Sequence, residues 1–366
     1  MKASIVTLPG DGIGPEVTAA AVATLQAVAT RFGHEFFFDE HPIGGAALDR
    51  GWPPLPASTL AAARAADAVL LGAVGGPRWD AAPSENRPER GLLRLRQGLG
   101  VFANLRPVHP HPALLGISPL RPEHVVGVDL LFVRELTGGL YFAEPKWRRR
   151  QDGAGRAVDT LAYDEHEIRR VVELAFRLAA DRRSKVTSID KANVLESSRL
   201  WRDVATAIGV EHPAIALDHQ LVDSAAMRLL TDAASFDVVV TENMFGDILT
   251  DEAGALVGSL GLLPSASLSG LGADGQGPGL YEPIHGSAPD IAGRGMANPI
   301  GAILSSALLL RWGLELESEA RAIEGAVAGA LDRGLRTADL RPVGETATTA
   351  EATRAVIREL ESPPAP

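Results

Sequence analysis

FDVVVTENMFGDILTDEAGALVGSL, residues 236–260, joins a candidate strand (236–240) with an apolar run at 238–240, through a turn-like stretch (243–246), to a helical pattern (248–260). A short buried strand feeding a helix is the repeating unit of an α/β fold. Inside the stretch, Asp247 and Asp251 stand four residues apart, which on a helix places both on one face. Two readings fit that pair. It is a solvated acidic helix start with Asp247 as N-cap, or a site where a hard divalent cation cancels the repulsion of two carboxylates.

Outward from this unit the same alternation continues. Candidate strands fall at 4–8, 36–38, 68–71, 125–133, 186–188 and 214–217. Helical patterns fall at 15–29, 164–181, 198–207, 220–230, 299–312, 315–333 and 349–360. The alternation predicts an α/β fold with a largely parallel central sheet. There is no internal repeat. Gly and Ser make 265–279 a predicted loop, and 362–366 reads as a frayed tail.

Composition narrows the function classes. The 366 residues allow two domains or one divided core. Lys and Arg number 35 against 46 Asp and Glu, a net charge of −11, which argues against nucleic acid as a partner. The basic run 146–150 reads as a solvated loop. With no cysteine, disulfides, thiolate zinc sites and cysteine nucleophiles are excluded. No apolar stretch predicts a membrane span, and the acidic flank of 17–30 does not suit a secretory signal. A cytoplasmic enzyme is expected.

Several motifs fail on inspection. LPGDGIGPE (8–16) follows a strand and opens a helix, but Gly10, Gly12 and Gly14 give G-x-G-x-G, so a Rossmann turn is not supported. His166-Glu167 starts like a zinc-protease motif, yet Arg170 holds the second histidine position. Other segments are more productive. If ERGLLRLR (89–96) is helical, Glu89, Leu92 and Arg96 share a face while Arg94 points elsewhere. Arg106 and Arg134 each follow β-like segments, and arginine suits carboxylate recognition, although either could be a structural ion pair. Lys191 lies between a strand and a helix. Tyr141 reads equally as a core residue with its hydroxyl at the surface. Asn298 before Pro299 reads as an N-cap.

GAVGGP (72–77), FANLRP (102–107), SIDKANVLE (188–196), TENMFGDILTD (241–251) and EPIHGSAPD (282–290) together resemble the isocitrate/isopropylmalate dehydrogenase family of β-decarboxylating dehydrogenases over nearly the whole chain. The resemblance implies a two-domain isopropylmalate-dehydrogenase-like fold, not a Rossmann fold. Residues 1–101 and 258–366 would form a first, cofactor-binding domain, and 102–257 a second domain with the dimer interface. It implies a homodimer with shared active sites and metal-dependent oxidative decarboxylation of a 2-hydroxy diacid with reduction of NAD. Arg96, Arg106, Arg134, Asp223, Glu89 and Leu92 match substrate positions. Asp247 and Asp251, joined by Asp223 of the partner subunit, match the ligands of Mg²⁺ or Mn²⁺. Lys191 and Tyr141 match the proton-handling residues. Glu282, His285, Gly286, Ser287, Ala288, Asp290, Asn298 and Asn193 match cofactor positions.

Within that family the segment after Pro88 selects the substrate. Burying a third carboxylate against Leu92 is unfavourable, so 3-isopropylmalate, an intermediate of leucine biosynthesis, is expected rather than isocitrate; D-malate and tartrate stay open as secondary substrates. Asp290 accepts hydrogen bonds from ribose hydroxyls but repels a 2′-phosphate, which favours NAD over NADP. Ala143 replaces the glycine expected in LYFAEP (140–145). A non-catalytic regulatory homologue is the rival reading; it would be expected to lose part of the metal, lysine or tyrosine set.

Overall fold

The computed structural model describes residues 1–151, 154–340 and 344–362. Its strands are β1 (Lys2–Gly10), β2 (Glu35–Glu40), β3 (Ala68–Ala73), β4 (Ala103–Val108), β5 (Leu130–Glu135) and β6 (Trp147–Gln151). They continue as β7 (Ala154–Val158), β8 (Lys185–Asp190), β9 (Ala216–Leu221), β10 (Val238–Thr241), β11 (Pro264–Leu268) and β12 (Gly279–Pro283). The chain divides into two compact units. Unit 1 takes Met1–Val101, Pro110–Pro119 and the described part of Val257–Pro366; unit 2 takes Phe102–His109 and the described part of Leu120–Leu256.

In unit 1 the strand order is β2-β1-β3-β12-β11. All neighbours run parallel except β11 and β12. β3 is buried along its whole length, as a parallel strand covered on both faces requires. Helices Gly14–Phe32 and Ile300–Leu308 pack on this sheet, and Glu317–Asp332 and Thr349–Glu361 pack on those helices. The last begins with a capping box, Thr348 and Glu351. In unit 2 the order is β4-β5-β10-β8-β9, antiparallel only between β4 and β5. Helix Glu165–Ala180 also starts in a capping box, in which Glu167 reaches back to the Asp164 N–H at 2.9 Å. That glutamate, suspected and rejected as a zinc-protease residue, is a helix cap. The largely parallel α/β architecture read from the sequence is the one observed.

Several local readings are corrected. The strand expected at 125–133 begins only at Leu130, because Pro122 opens a helical turn, Pro122–Val125. Residues 148–150 are not loop but part of β6, paired with β7. Both ends of the loop expected at 265–279 are strand, since β11 and β12 pair antiparallel. The turn expected at 243–246 is the first turn of helix Asn243–Val257, so Asp247 is inside the helix and is not its N-cap. Gln220 lies within β9, and the helix expected from it starts at Val222. The helix expected at 299–312 is α-helical over Ile300–Leu308 and finishes in a π turn, Leu309–Gly313. Of the expected tail, 363–366 lie outside the described residues.

The failed Rossmann spacing has a physical explanation. Gly10 and Gly12 have φ of 71° and 59°, and a Cβ there would stand 2.0 Å from the Ala73 oxygen and 1.9 Å from the Ser287 oxygen. These glycines let the turn touch two other backbones. The intervening Asp11 is buried and organises the neighbourhood. Its carboxylate accepts the N–H groups of Gly45 (2.8 Å), Ala46 (2.7 Å) and Gly75 (2.8 Å). Asp11→Asn turns one acceptor oxygen into a donor that meets at least one of these N–H groups whichever way the amide lies. A loss of about 1–3 kcal/mol in urea unfolding is expected; an unchanged midpoint would show that the turn does not depend on this carboxylate.

Candidate functional site

In unit 2, Arg134 is the penultimate residue of β5, and β10 runs into helix Asn243–Val257, which carries both aspartates. The helix start lies so close to Arg134 that a Cβ at Gly246 would be 2.6 Å from its Cγ. Arg134, 2% exposed, forms an ion pair with Asp247 Oδ1 and donates to Asn243 Oδ1 from Nε (3.2 Å) and Nη2 (2.8 Å). Arg106, on β4, lies 3.7 Å from Asp247 Oδ1 and 3.5 Å from Asp251 Oδ1. Its donors also reach Asn104 Oδ1 (2.7 Å) and Thr250 Oγ1 (2.6 Å). Tyr141 OH donates to Asp247 Oδ2 at 2.8 Å. Two buried cations, two carboxylates and a phenol thus converge.

Electrostatics fix their protonation. Burial, then the charge of Asp247, pushes the Tyr141 hydroxyl up to about 12, so it stays a proton donor. Burial raises Asp251, with Asp247 adding to the shift and Arg106 opposing it. Asp251 is still well exposed and open to a further ligand. Among the described residues no group of three or more His, Asp or Glu is arranged to hold a metal. A hard cation at Asp247 and Asp251 fits this donor set when a third carboxylate is supplied from elsewhere.

Lys191 follows β8 in a turn held by Asp190, which accepts from the Ala192 N–H at 2.9 Å and from Arg202. Its Nζ is 2.6 Å from Asp223 Oδ1, and this contact pulls the Asp223 carboxyl below its usual value. Asn193 is exposed in the same turn.

Unit 1 assembles the other residues. Helix Pro88–Leu99 presents Arg96 buried and Leu92 half-buried, while Arg94 and Glu89 are exposed. Arg96 Nη2 pairs with Glu282 Oε1 at 2.7 Å, with both side chains buried, and its Nε has no partner among the described residues. Glu282, expected at the cofactor, is thus held by an arginine expected at the substrate. The Ile13 N–H donates to Ser287 O at 2.8 Å, tying the glycine turn to the Gly286–Ala288 segment. His285 Nδ1 lies 2.9 Å from the Gly286 carbonyl, and burial pushes its pKa down. The ring is therefore neutral, protonated on Nδ1, with a buried Nε2 that has no partner among the described residues. Asp290 is exposed. Asn298 is more committed than expected: it accepts from the Ile300 N–H at 3.0 Å, as a cap does, and donates to Asp339 at 3.0 Å.

Sequence reasoning missed Asn104, Asn243 and Thr250, which hold the two arginines in place. All three lie within the quoted motifs, but only tertiary pairing reveals what they hold.

These features define a class. The family description "Isocitrate/isopropylmalate dehydrogenase" matches residues 4–356, and the chain belongs to that family and is a decarboxylating dehydrogenase. Among its relatives, 3-isopropylmalate dehydrogenase of Anaeromyxobacter dehalogenans is 65% identical over 93% of this chain and 95% of its own. That of Bacillus subtilis is 57% identical over 97% and 96%. Isocitrate dehydrogenase from Methylococcus capsulatus superposes with a TM-score of 0.86 at 33% identity, covering 98% of this chain and 100% of that one.

Arg96→Met leaves Glu282 buried without its cation. A loss of about 3–5 kcal/mol in stability is expected, measured by chemical unfolding; no loss would mean that Glu282 finds another partner or takes up a proton at little cost.

Proposed function

We propose that the chain oxidises and decarboxylates 3-isopropylmalate to 4-methyl-2-oxopentanoate with reduction of NAD, as a cytoplasmic homodimer using Mg²⁺ or Mn²⁺. The observation that carries this reading is the convergence of Arg106, Arg134, Tyr141, Asp247 and Asp251 in unit 2. The names of relatives above 50% identity support isopropylmalate, whereas the isocitrate dehydrogenase match is at 33%.

A divalent cation at Asp247 and Asp251 would acidify the substrate's 2-hydroxyl, and NAD would accept the hydride. Arg96, Arg106 and Arg134 are assigned to the substrate carboxylates; their role is to orient the dianion. Lys191 of the partner subunit takes the hydroxyl proton. Tyr141, held protonated, returns a proton to carbon after CO₂ leaves. Leu92 is assigned to the isopropyl group and Glu89 to the same end of the substrate. The unpartnered His285 Nε2 suits an amino group of the adenine ring, and the exposed Asp290 carboxylate suits the ribose hydroxyls. Asn193, Glu282, Gly286, Ser287, Ala288 and Asn298 complete the proposed cofactor contacts.

Surface chemistry supports the homodimer. Asp223, Met227 and Leu230 share one face of helix Val222–Thr231, where Met227 is 62% and Leu230 37% exposed. Ile248, between the two aspartates, is 59% exposed. A self-complementary surface built there would bring Asp223 of the partner subunit to Asp247 and Asp251.

NADH formation across a panel of 2-hydroxy diacids tests the activity. Isopropylmalate is expected to be the best substrate and a chelator to abolish turnover; preference for isocitrate or NADP would overturn the assignment. Leu92→Ser should lower kcat/KM for isopropylmalate by about 10-fold or more, whereas no change would remove Leu92 from the pocket. Shared sites predict complementation. Mixing inactive Lys191→Met and Tyr141→Phe chains should regain activity that neither has alone, and failure after verified subunit exchange would place both residues in one protomer's site.

A further inference from the structure

Behind the arginine–aspartate cluster of unit 2 lies a second polar group that the proposed chemistry does not use. Glu135, Glu242 and Tyr163 are 0%, 5% and 9% exposed. Tyr163 OH is 3.1 Å from Glu135 Oε2 and 3.3 Å from Glu242 Oε2, and the Asn243 N–H donates to it at 3.0 Å. A phenol offers one proton and two lone pairs. One lone pair takes the Asn243 N–H, and the proton serves one carboxylate. Were both glutamates ionised, the second would face a lone pair, and two buried anions would flank one hydroxyl. A proton on one glutamate removes both conflicts, because that carboxyl donates to the phenol and the phenol donates to the other carboxylate.

The surrounding donors decide which glutamate holds the proton. Glu135 accepts from the Thr137 N–H (2.8 Å), Thr137 Oγ1 (3.0 Å) and the Gly138 N–H (2.9 Å). Arg170, on helix Glu165–Ala180, stands 3.8 Å from its Oε1. Apart from Tyr163, Glu242 accepts, among the described residues, from backbone N–H groups, chiefly that of Phe245 at 2.8 Å. On its other side Asp190, already paired with Arg202, lines with Tyr163 and Glu242 a void of about 10 Å³. The cation and the extra donors favour the anion on Glu135 and the proton on Glu242. Burial raises both carboxyls, and the Glu135 charge raises Glu242 further.

We propose that Glu242, Tyr163 and Glu135 form a one-proton hydrogen-bond chain that positions Asn243 and, through it, the Arg134 guanidinium. The path is continuous. Tyr163 fixes the Asn243 backbone, Asn243 Oδ1 takes two N–H donors of Arg134, and Asn243 Nδ2 donates at 3.3 Å to the carbonyl of Gly138, whose own N–H binds Glu135. The three residues are positioning residues; none is assigned to substrate. The functional part rests on the reading above, in which Arg134 binds the substrate.

Amide substitution separates the two glutamates. In Glu242→Gln the NH₂ replaces the carboxyl O–H as donor to Tyr163, and the amide oxygen still accepts from Phe245. In Glu135→Gln the NH₂ faces backbone N–H donors whichever way it is turned. Glu242→Gln is expected to hold kcat/KM within about threefold, and Glu135→Gln and Tyr163→Phe to lose about tenfold or more. The loss should fall on the KM for the diacid, with the KM for NAD unmoved, which general destabilisation would not produce. Thermal midpoints should follow the same order, with Glu242→Gln near the parent and Glu135→Gln well below it. The reverse order, or equal damage in both, would overturn the proton assignment; no damage in any variant would overturn the positioning role. If the parent turned over no hydroxy diacid, the functional reading would fail, while the midpoints would still decide where the proton sits.

Discussion

The ion pair between Arg134 and Asp247 is the constraint on which unit 2 is organised. A guanidinium 2% exposed gives up most of its hydration, and that cost is offset only if its donors are met. Here Asp247 takes one and Asn243 two. All these partners sit in the first turns of a single helix, so the arginine at the end of β5 dictates where helix Asn243–Val257 begins. The close approach at Gly246 follows from the same demand. Arg106 repeats the arrangement from β4, using Thr250 and the edges of both aspartates. The result is an acidic helix whose repulsion is already largely balanced, yet whose Asp251 is open to a further cation.

Unit 1 solves a different problem, that of bringing several loops to one place. It does so with backbone contacts. Asp11 gathers three N–H groups from two segments, and the Ile13 N–H reaches Ser287. The buried pair of Arg96 and Glu282 then ties helix Pro88–Leu99 to the end of β12. Because these anchors are buried, the side chains assigned to ligand, Leu92 and His285, are carried on rigid supports, which is what orientation of a small molecule requires.

Sequence alone made the helices legible where an amphipathic stripe met a capping signal, as at Glu165–Ala180 and Thr349–Glu361. β4 was hidden because Asn104, Arg106 and Pro107 interrupt its apolar pattern, although all belong to a buried or half-buried strand. β11 and β12 were hidden by the Gly and Ser residues between and within them. The basic residues 148–150 read as loop because nothing local reveals that β7 pairs with them. In the candidate site, the charged residues were found through resemblance and residue type. Their holders were not, since Asn243, Thr250, Glu135 and Tyr163 are ordinary polar residues until the fold buries them together. Burial is a tertiary property, and no spacing rule encodes it.

The acidic balance of the chain bears on how such a site meets anions. A net charge of −11 opposes the approach of a dicarboxylate and of a dinucleotide. At physiological salt, charges separated by more than about 8 Å are largely screened, so the diffuse surface charge counts for less than the few groups in contact. The buried arginines act where screening fails, in a low-dielectric setting with fixed geometry. They already hold carboxylates of the protein itself. On the reading proposed above, a substrate carboxylate reaching Arg106 and Arg134 would meet donors whose desolvation has been met by folding, and it would compete for them with Asp247 and Asp251. That competition, rather than overall charge, is what the architecture sets.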